Sequence, residues 1–590
     1  MELPEDEYDR QPLGWNATES DSDASLLVAD LRIDNRAELR RILRIPAEAA
    51  AVMADSALLQ AAWREWGDSC PERLAGDFAF AVWEPGRQRL ILVRDHFGRR
   101  PLHYTENDSL FAFASLPTGI VAFPTVARKL DPTMLVIRLA LFPECGERTF
   151  FQGVQRVPPG HMVVVDRNGI VARPYWKPDV ARQLTYRKDS DYVEGFQTIF
   201  EEAVRCRLRA TGATGCMLSG GFDSSSVTAM AATVLAAEGR MLTAFTSVPS
   251  AGFAGSDPPG RFGNEGPHAA SVAAMYPNVR HVLVEPAQAC SIDLLASESQ
   301  TTPGVHPCMA PIRKAMGDAF QERGITSVLT GANGNLTISY DGLPLLSDLL
   351  RRFRWARWAK EAQGLRVLRE ASWRSIVGNS LLPLMPRPVH RIFYETGKLS
   401  QHSMIHPDFI RSGEILRILE SARNAMGKFS LRDGRGMRAA GFWRRDNGGD
   451  GPARPGVRGC DPTSDIRLVN FCLAVPDEQF LRLGQRRFLL RRAMAGRLPR
   501  KILDERRKGL GGADWYLGVA PYRDRLAEAV ARAESSAMAR HFLDVQRMRR
   551  LIDEWPKAGW DTRSVGSDYR LALLRGLAVS EFICREEGRF

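Results

Sequence analysis

The sequence predicts an α/β protein of two units, a β-rich antiparallel layer followed by an open parallel sheet with flanking helices. Three observations predict it. Short apolar runs separated by turns lie between Leu26 and Val93. A strand, a Gly/Ser loop and a helix follow one another between Gly215 and Val234. Further apolar runs, Leu242 to Val248, His281 to Val284 and Ile325 to Leu329, alternate with helical segments, as a parallel sheet with crossovers requires.

At 590 residues the chain is too long for one core and implies about two to four domains. Hydrophobic content of 44% and charged content of 25% are those of a globular protein. No stretch offers the roughly 20 uninterrupted apolar residues of a membrane span, and the acidic start Met1 to Glu7 is not a signal peptide, so a cytoplasmic protein with no membrane partner is expected. The 9 cysteines form no C-x-x-C pair and no cluster with histidine, which supports neither zinc nor a disulfide framework. The net charge of +11 is concentrated in Arg351 to Trp358 and Arg432 to Arg458. Such a run can meet nucleic acid or an acidic peptide, but a solvated helix face is its commoner origin, and nucleic acid is not expected as a partner.

In chain order, residues 1 to about 25 read as a mobile lead-in. Leu26 to Ala29 is a strand, Asp34 to Leu39 starts a helix with a polar cap, and Phe78 to Trp83 and Leu90 to Val93 are strands. Arg32-Ile33-Asp34-Asn35-Arg36, Leu74-Ala75-Gly76-Asp77-Phe78-Ala79-Phe80, Arg94-Asp95-His96-Phe97-Gly98-Arg99-Arg100-Pro101-Leu102 and Val157-Pro158-Pro159-Gly160-His161 resemble the N-terminal glutaminase-type domain of asparagine synthetase-like enzymes. The resemblance implies a degenerate Ntn-type antiparallel α+β domain over residues 1–185. In that family a cysteine directly after the initiator methionine hydrolyses glutamine. This chain has Glu2, and a carboxylate cannot replace a thiolate there. Asp30-Leu31 stand at the family's Asn-Gly oxyanion pair, where a negative charge opposes an oxyanion. A retained scaffold without glutaminase activity is therefore expected. Fewer residues precede Arg32 than is usual, so an opening strand is expected to be either missing or mis-annotated.

Residues 186–590 carry the second unit, which opens with a helix from about Tyr192 to Leu208. Gly215 to Leu218 is a strand, and Val227, Met230, Ala231 and Val234 give an amphipathic period. Between them lies Leu218-Ser219-Gly220-Gly221-Phe222-Asp223-Ser224-Ser225. A helix start has free N–H groups and the positive end of the macrodipole, which suits a phosphate. Gly220 and Gly221 allow close approach, and the hydroxyls of Ser219, Ser224 and Ser225 add donors. Asp223 would repel a phosphate unless Mg²⁺ lay between them.

By the same resemblance this unit is a PP-loop ATP pyrophosphatase domain (adenine nucleotide alpha hydrolase-like) with a parallel sheet and added helices. Phe245, Thr246 and Ser247 are then candidates for the adenine site. Thr330-Gly331-Ala332-Asn333-Gly334-Asn335 stands at the family's Ser-Gly-Glu-Gly-x-Asp-Glu loop, which makes Thr330 and Gly331 nucleotide contacts and puts Asn335 at the second metal aspartate. Asn335 offers one neutral oxygen, so Mg²⁺ would depend on Asp223 and the ATP phosphates, or on Asp341 if the loop bends back. β-Lactam synthetases have a tyrosine of a base dyad where Ala332 stands. Residues 345 to 455 read as helical and basic, ending in a glycine-rich stretch, Asp446 to Pro452, that is either a lid or a plain loop.

Asp461-Pro462-Thr463-Ser464-Asp465-Ile466-Arg467-Leu468-Val469 resembles the lasso-peptide cyclase branch of the family. Asp465 is placed to cap the next helix, and Asp461 either faces the site or forms a turn before Pro462. Asp504 to Gly511 resembles the family's Lys-Lys-Gly-Phe segment, where a cation meets the α-phosphate. Alignment puts Arg507 on the key lysine with Lys508 beside it, and either can serve.

These resemblances imply an AMP-forming, ATP-dependent carbon–nitrogen ligase. They point to macrolactam formation: an Asp or Glu side chain of a core peptide is adenylated and attacked by the peptide's N-terminal amine. A leader peptidase and a leader-binding protein are the expected partners. The alternatives are an ammonia-dependent asparagine synthetase-like amidotransferase and a non-catalytic nucleotide- or RNA-binding scaffold.

Overall fold

The computed structural model describes residues 25–588 apart from 47, 49–52, 109, 145, 211, 254, 256, 299–306, 386–398, 426–433 and 445–455. The expectations placed on Glu2, on the lead-in and on Asp446 to Pro452 lie outside the described residues.

The first unit is built on an antiparallel sheet of β1 (Leu26–Ile33), β2 (Gly76–Glu84), β3 (Arg89–Arg94), β7 (His161–Asp166) and β8 (Gly169–Pro174), in that order. A smaller antiparallel sheet contains β4 (His103–Asn107) between β5 (Leu110–Ala114) and β6 (Val154–Arg156). The period of two explains why β2 is buried nearly throughout. Phe78, Phe80 and Val82 pack on Leu58, Leu59 and Trp63 of the Asp55–Trp66 helix, while Ala79 and Ala81 join Tyr104 and Val157 of the other layer. The helix expected near Asp34 spans Arg36–Ile42, but Asn35 at its start makes no side-chain cap. Its amide instead accepts from Ala75 N and donates to Arg73 O, both at 2.9 Å, which holds the segment ahead of β2 in place.

The second unit is an all-parallel sheet, ordered β12 (Val279–Val284), β10 (Leu242–Ser247), β9 (Ala213–Met217), β13 (Ile325–Leu329) and β14 (Arg458–Cys460). The order reverses between β9 and β13, so the loops leaving these two strands open a crevice at their carboxyl ends. The Phe222–Ala237 helix after β9 is more deeply buried than a two-sided pattern requires, because Thr228, Ala229 and Ala232 are covered as well as Val227, Met230, Ala231 and Val234. It lies in one core with Phe196 and Phe200 of the Asp189–Arg207 helix and with Leu490 and Met494. Another core joins Met134, Leu135 and Phe150 from early in the chain to Leu574, Leu577 and Phe582 near its end.

The two units meet through buried charge. Arg207 donates to both oxygens of Asp77 on β2 at 2.7 and 2.9 Å and lies 3.2 Å from Asp34. Asp34, Cys206 and Asp465 are close enough together to suggest a cation site. Arginines already fill that role: Arg32 lies 2.9 Å from Asp34 and Arg467 lies 2.6 Å from Asp465.

The Arg351 to Trp358 run straddles two helices, Leu345–Arg351 and Trp355–Val367, with Asp348 paired to Arg351 and Arg352. Residues 351–356 are exposed, so the run is largely a solvated face. No helix among the described residues is long and apolar enough to cross a membrane.

Candidate nucleotide site

The loop after β9 forms the helix start that the sequence predicts. Leu218 N donates to Phe245 O at 2.8 Å, and Gly221 N-caps the Phe222–Ala237 helix. The serines form a compact net. Ser224 Oγ accepts from Ser219 N at 3.0 Å and lies 2.6 Å from Ser219 Oγ, which accepts from Gly221 N at 3.1 Å. Ser225 is fully buried and donates to Ser219 O at 3.1 Å, so its hydroxyl shapes the loop from behind.

The loop after β13 closes onto this one. A Cβ on Gly331 would crowd the Asp223 backbone, and one on Gly334 would run into Asp223 Oδ1. Glycine at both places is what lets the two loops touch. Thr330 N donates to Cys460 O at 2.8 Å, tying the loop to β14. Ala332 and Asn335 are exposed, and Asn335 Oδ1 accepts from Ser339 Oγ at 3.5 Å.

Asp223 is half-buried, and its Oδ1 is a buried atom without a hydrogen-bond partner. Burial pushes its carboxyl up to about 6, although the Ser339 hydroxyl and the charges of Arg487 and Lys508 pull the other way. An orphaned carboxylate oxygen beside a phosphate-binding helix start fits Mg²⁺, which commonly takes one or two carboxylates and completes its shell with substrate phosphates and water. Asp223 would hold the ion, with the Asn335 amide within the same pair of loops.

The raised value has a measurable consequence. In the absence of ligand the native state holds the Asp223 proton more tightly than the unfolded chain does, so this group's contribution to stability is present below its ordinary value of 3.8 and is lost as pH rises through about 6. Binding of Mg²⁺ with nucleotide needs the ionised form. Its affinity is expected to fall about tenfold per pH unit below about 6, with uptake of Mg²⁺ at pH 6 releasing about half a proton, measurable by calorimetry in buffers of different ionisation enthalpy.

Several expected contacts prove to have other work. Phe245 is fully buried, and its ring packs edge-on against Phe320 in the core with centroids 4.8 Å apart. Thr246 is equally buried, donating to Leu218 O at 2.8 Å and lying 2.8 Å from His281 Nε2; it ties strands together. Ser247 lines a cavity of about 300 Å³ with Ser250, Pro286, Ile312, Asp514 and Trp515.

Asp461 does not offer a free carboxylate. It is fully buried, and it accepts from Thr463 N, Thr463 Oγ1, Ser464 Oγ and Asn333 N at 2.6 to 3.1 Å. With both oxygens satisfied it fixes the turn after β14 to the loop after β13, which makes it a positioning residue. Asp465 caps the Ile466–Ala474 helix as expected, accepting from Arg467 N at 2.9 Å.

Both cations, Arg507 and Lys508, are exposed, and they differ in their partners. Arg507 pairs with Glu505 at 2.8 Å and lies over the Phe262 ring at 5.3 Å. Lys508 begins β17 (Lys508–Gly509), which pairs with β11 (Arg261–Phe262), and its charge acts on Asp223. Burial and the neighbouring Arg487, Arg261 and Arg486 hold the Lys508 ammonium below its ordinary range.

Two participants were not singled out from the sequence. Arg487 sits at φ 55° and ψ 34°, a left-handed conformation that a non-glycine residue adopts at a cost, and its guanidinium lies over Phe222 at 5.4 Å, one residue from Asp223. Its membership of an arginine-rich segment hid it. Glu265 accepts from Gly220 N at 3.3 Å from within a loop to which the sequence assigns no role.

A family model described as asparagine synthase matches residues 195–572, and one described as a glutamine amidotransferase domain matches residues 6–176. Glutamine-hydrolyzing asparagine synthetase 3 of Bacillus subtilis is 30% identical over 232 residues, covering 39% of this chain and 37% of that protein. The amidase chyE of Penicillium rubens is 33% identical over 201 residues, covering 33% of this chain and 29% of its own length. A putative glutamine-hydrolyzing asparagine synthetase of Mycobacterium tuberculosis is 30% identical over 261 residues, with 42% and 39% covered. The matched part thus spans less than two fifths of each relative's length. The matched regions coincide with the antiparallel and parallel units described above, and the longer match contains both the loop that carries Asp223 and the strand that carries Lys508. The chain belongs to the asparagine synthase family.

Proposed function

We propose that the protein is an ATP-dependent, AMP-forming carbon–nitrogen ligase that closes a macrolactam in a precursor peptide of the lasso type. The observation that carries the ligase reading is the closing of the phosphate loop, with Asp223, against Gly331 and Gly334 at the reversal of strand order, with Arg487 over Phe222 and the segment of Lys508 one carboxylate, Glu265, away. A carboxylate does not react with an amine at neutral pH until its oxygen becomes a leaving group, and adenylation supplies one. The N–H groups of Phe222, Asp223 and Ser224 at the helix start and the hydroxyls of Ser219 and Ser224 would hold the departing pyrophosphate. The cations of Lys508 and Arg487 face the negative charge that develops around the α-phosphate. Mg²⁺ bound at Asp223 would neutralise phosphate charge during that transfer.

The peptide reading rests on the Asp461 to Val469 pattern and on Ala332. A small exposed residue at the place of the base tyrosine of β-lactam synthetases sets this site apart from theirs. The proposed amine is the N-terminal amine of the core peptide. A leader peptidase and a leader-binding protein would prepare that substrate.

A second reading, an ammonia-dependent amidotransferase acting on free aspartate, is favoured by relatives named as asparagine synthetases. One experiment separates the two. Protein, ATP and Mg²⁺ are incubated with a leader-freed core peptide or with aspartate and ammonia. The proposal expects AMP together with loss of one water from the peptide. ADP, or AMP only with aspartate, would overturn it.

A further inference from the structure

We propose that Glu265 is a positioning residue of the nucleotide site, whose carboxylate bolts the strand carrying Lys508 to the phosphate loop. This rests on the reading of Lys508 given above. Glu265 immediately precedes the Gly266–Ala273 helix yet makes no side-chain cap to it, because its carboxylate is turned elsewhere. Oε2 accepts from Gly220 N at 3.3 Å, and the Ser219 hydroxyl favours the charged carboxylate. Oε1 stands against Gly509, where a Cβ would not fit. One half-buried carboxylate therefore touches the phosphate loop on one side and the residue after Lys508 on the other.

The strand needs such a fastening. β17 is held to its neighbour by Lys508 N donating to Gly260 O at 3.0 Å and Leu510 N donating to Phe262 O at 2.9 Å. A two-residue ladder is not stable by itself. The rest of the 261–268 segment reinforces the same junction. Phe262 and His268 crowd Gly220 so closely that a Cβ there would collide with both, and their rings stack at 4.5 Å. His268 Nε2 lies 2.9 Å from Glu505 Oε2, at the start of the turn leading to Lys508. Glu265 is the member of this junction that reaches both the loop backbone and Gly509. Burial raises its carboxyl above the ordinary range while the Gly220 N–H and the Ser219 hydroxyl oppose that rise, so the loop donors are what hold the charge in place.

The role predicts a division of effects. Lys508 acts in the transition state, and a displacement of about 1 Å from the productive position can cost on the order of 10²-fold in rate. Full-length protein carrying Glu265→Ala is expected to exchange the amide hydrogens of Lys508 and Leu510 at least about tenfold faster. It should form AMP on the order of 10- to 100-fold more slowly while binding ATP within about threefold of wild type. Glu265→Gln keeps an acceptor for Gly220 N and should stay within about fivefold on both measures. Gly509→Ala alone should disturb the strand, and Glu265→Ala should relieve part of that disturbance by removing the colliding oxygen. Unchanged exchange and rate in Glu265→Ala would overturn the proposal. So would tighter ATP binding with the rate retained, the signature of a carboxylate that merely competes for the phosphate donors. If wild-type protein releases no AMP with any substrate, it is the functional reading that fails, and amide exchange in Glu265→Ala still decides the role of Glu265.

Discussion

Replacing Asp223 with asparagine is expected to lower AMP formation about 10³-fold while leaving the fold intact. Two properties of the residue make both halves of that outcome follow. Its Oδ1 is buried without a hydrogen-bond partner, and burial raises its carboxyl to about 6. The native state thus bears a desolvated charge that Ser339, Arg487 and Lys508 only partly offset, and asparagine removes the charge while keeping nearly the same volume beside Gly331 and Gly334. The melting temperature near pH 7 should be unchanged or slightly higher. Activity should collapse because, among the described residues, the alternatives are committed: Asp341 accepts from Leu343 N at 3.0 Å and lies 4.0 Å from Arg486. Asn335 is neutral, and Asp461 spends both oxygens on Asn333, Thr463 and Ser464. The check is AMP release beside thermal melting of the same preparation. Retained AMP formation within tenfold of wild type would remove Asp223 from the metal role. A fall in activity matched by an equal loss of folded protein would make it structural.

The sequence made the phosphate loop legible because chemistry and local structure agree there. Glycines, hydroxyls and an acid sit where a strand becomes a helix, and each is needed for a stated reason. Asp465 was legible on the same ground, since an Asp before an apolar period is a helix start wherever it occurs. Other residues depended on the partner element, which spacing along the chain does not reveal. Phe245 and Thr246 follow β9 only through strand pairing, and their faces are set by Phe320 and His281, both more than 30 residues onward. The turn after Cys460 was legible as a turn, but not that its Asp461 would be consumed by Asn333 from the loop after β13. β14, of three residues, is too short to carry a period, and it becomes a strand because β13 offers an edge in parallel register. Arg487 was invisible among its arginine neighbours. What distinguishes it is a left-handed backbone and Phe222 beneath its guanidinium.

The adjacent pair Arg507 and Lys508 shows the same limit at a single peptide bond and yields the second large expected effect. Successive side chains of an extended segment point to opposite sides, so an alignment off by one residue nominates the wrong cation. Both side chains are exposed; Arg507 is held by Glu505 and the Phe262 ring, while Lys508 shares in stabilising the charge of Asp223. Lys508→Ala is expected to slow AMP formation by about 10²- to 10³-fold, or about 3–4 kcal/mol of transition-state stabilisation, with ATP affinity changing much less. Arg507→Ala should cost under about threefold, because its ion pair is solvated and such pairs contribute little. The pH–rate profile supplies an independent signature. Burial and the positive neighbours Arg487, Arg261 and Arg486 hold the Lys508 ammonium below the ordinary lysine range. The alkaline fall in rate should therefore begin at lower pH than for an isolated lysine, and Lys508→Arg should move it upward even where the rate is reduced, since arginine does not lose its proton in that range. Equal losses in the two alanine variants, or a larger loss for Arg507→Ala, would reverse the assignment.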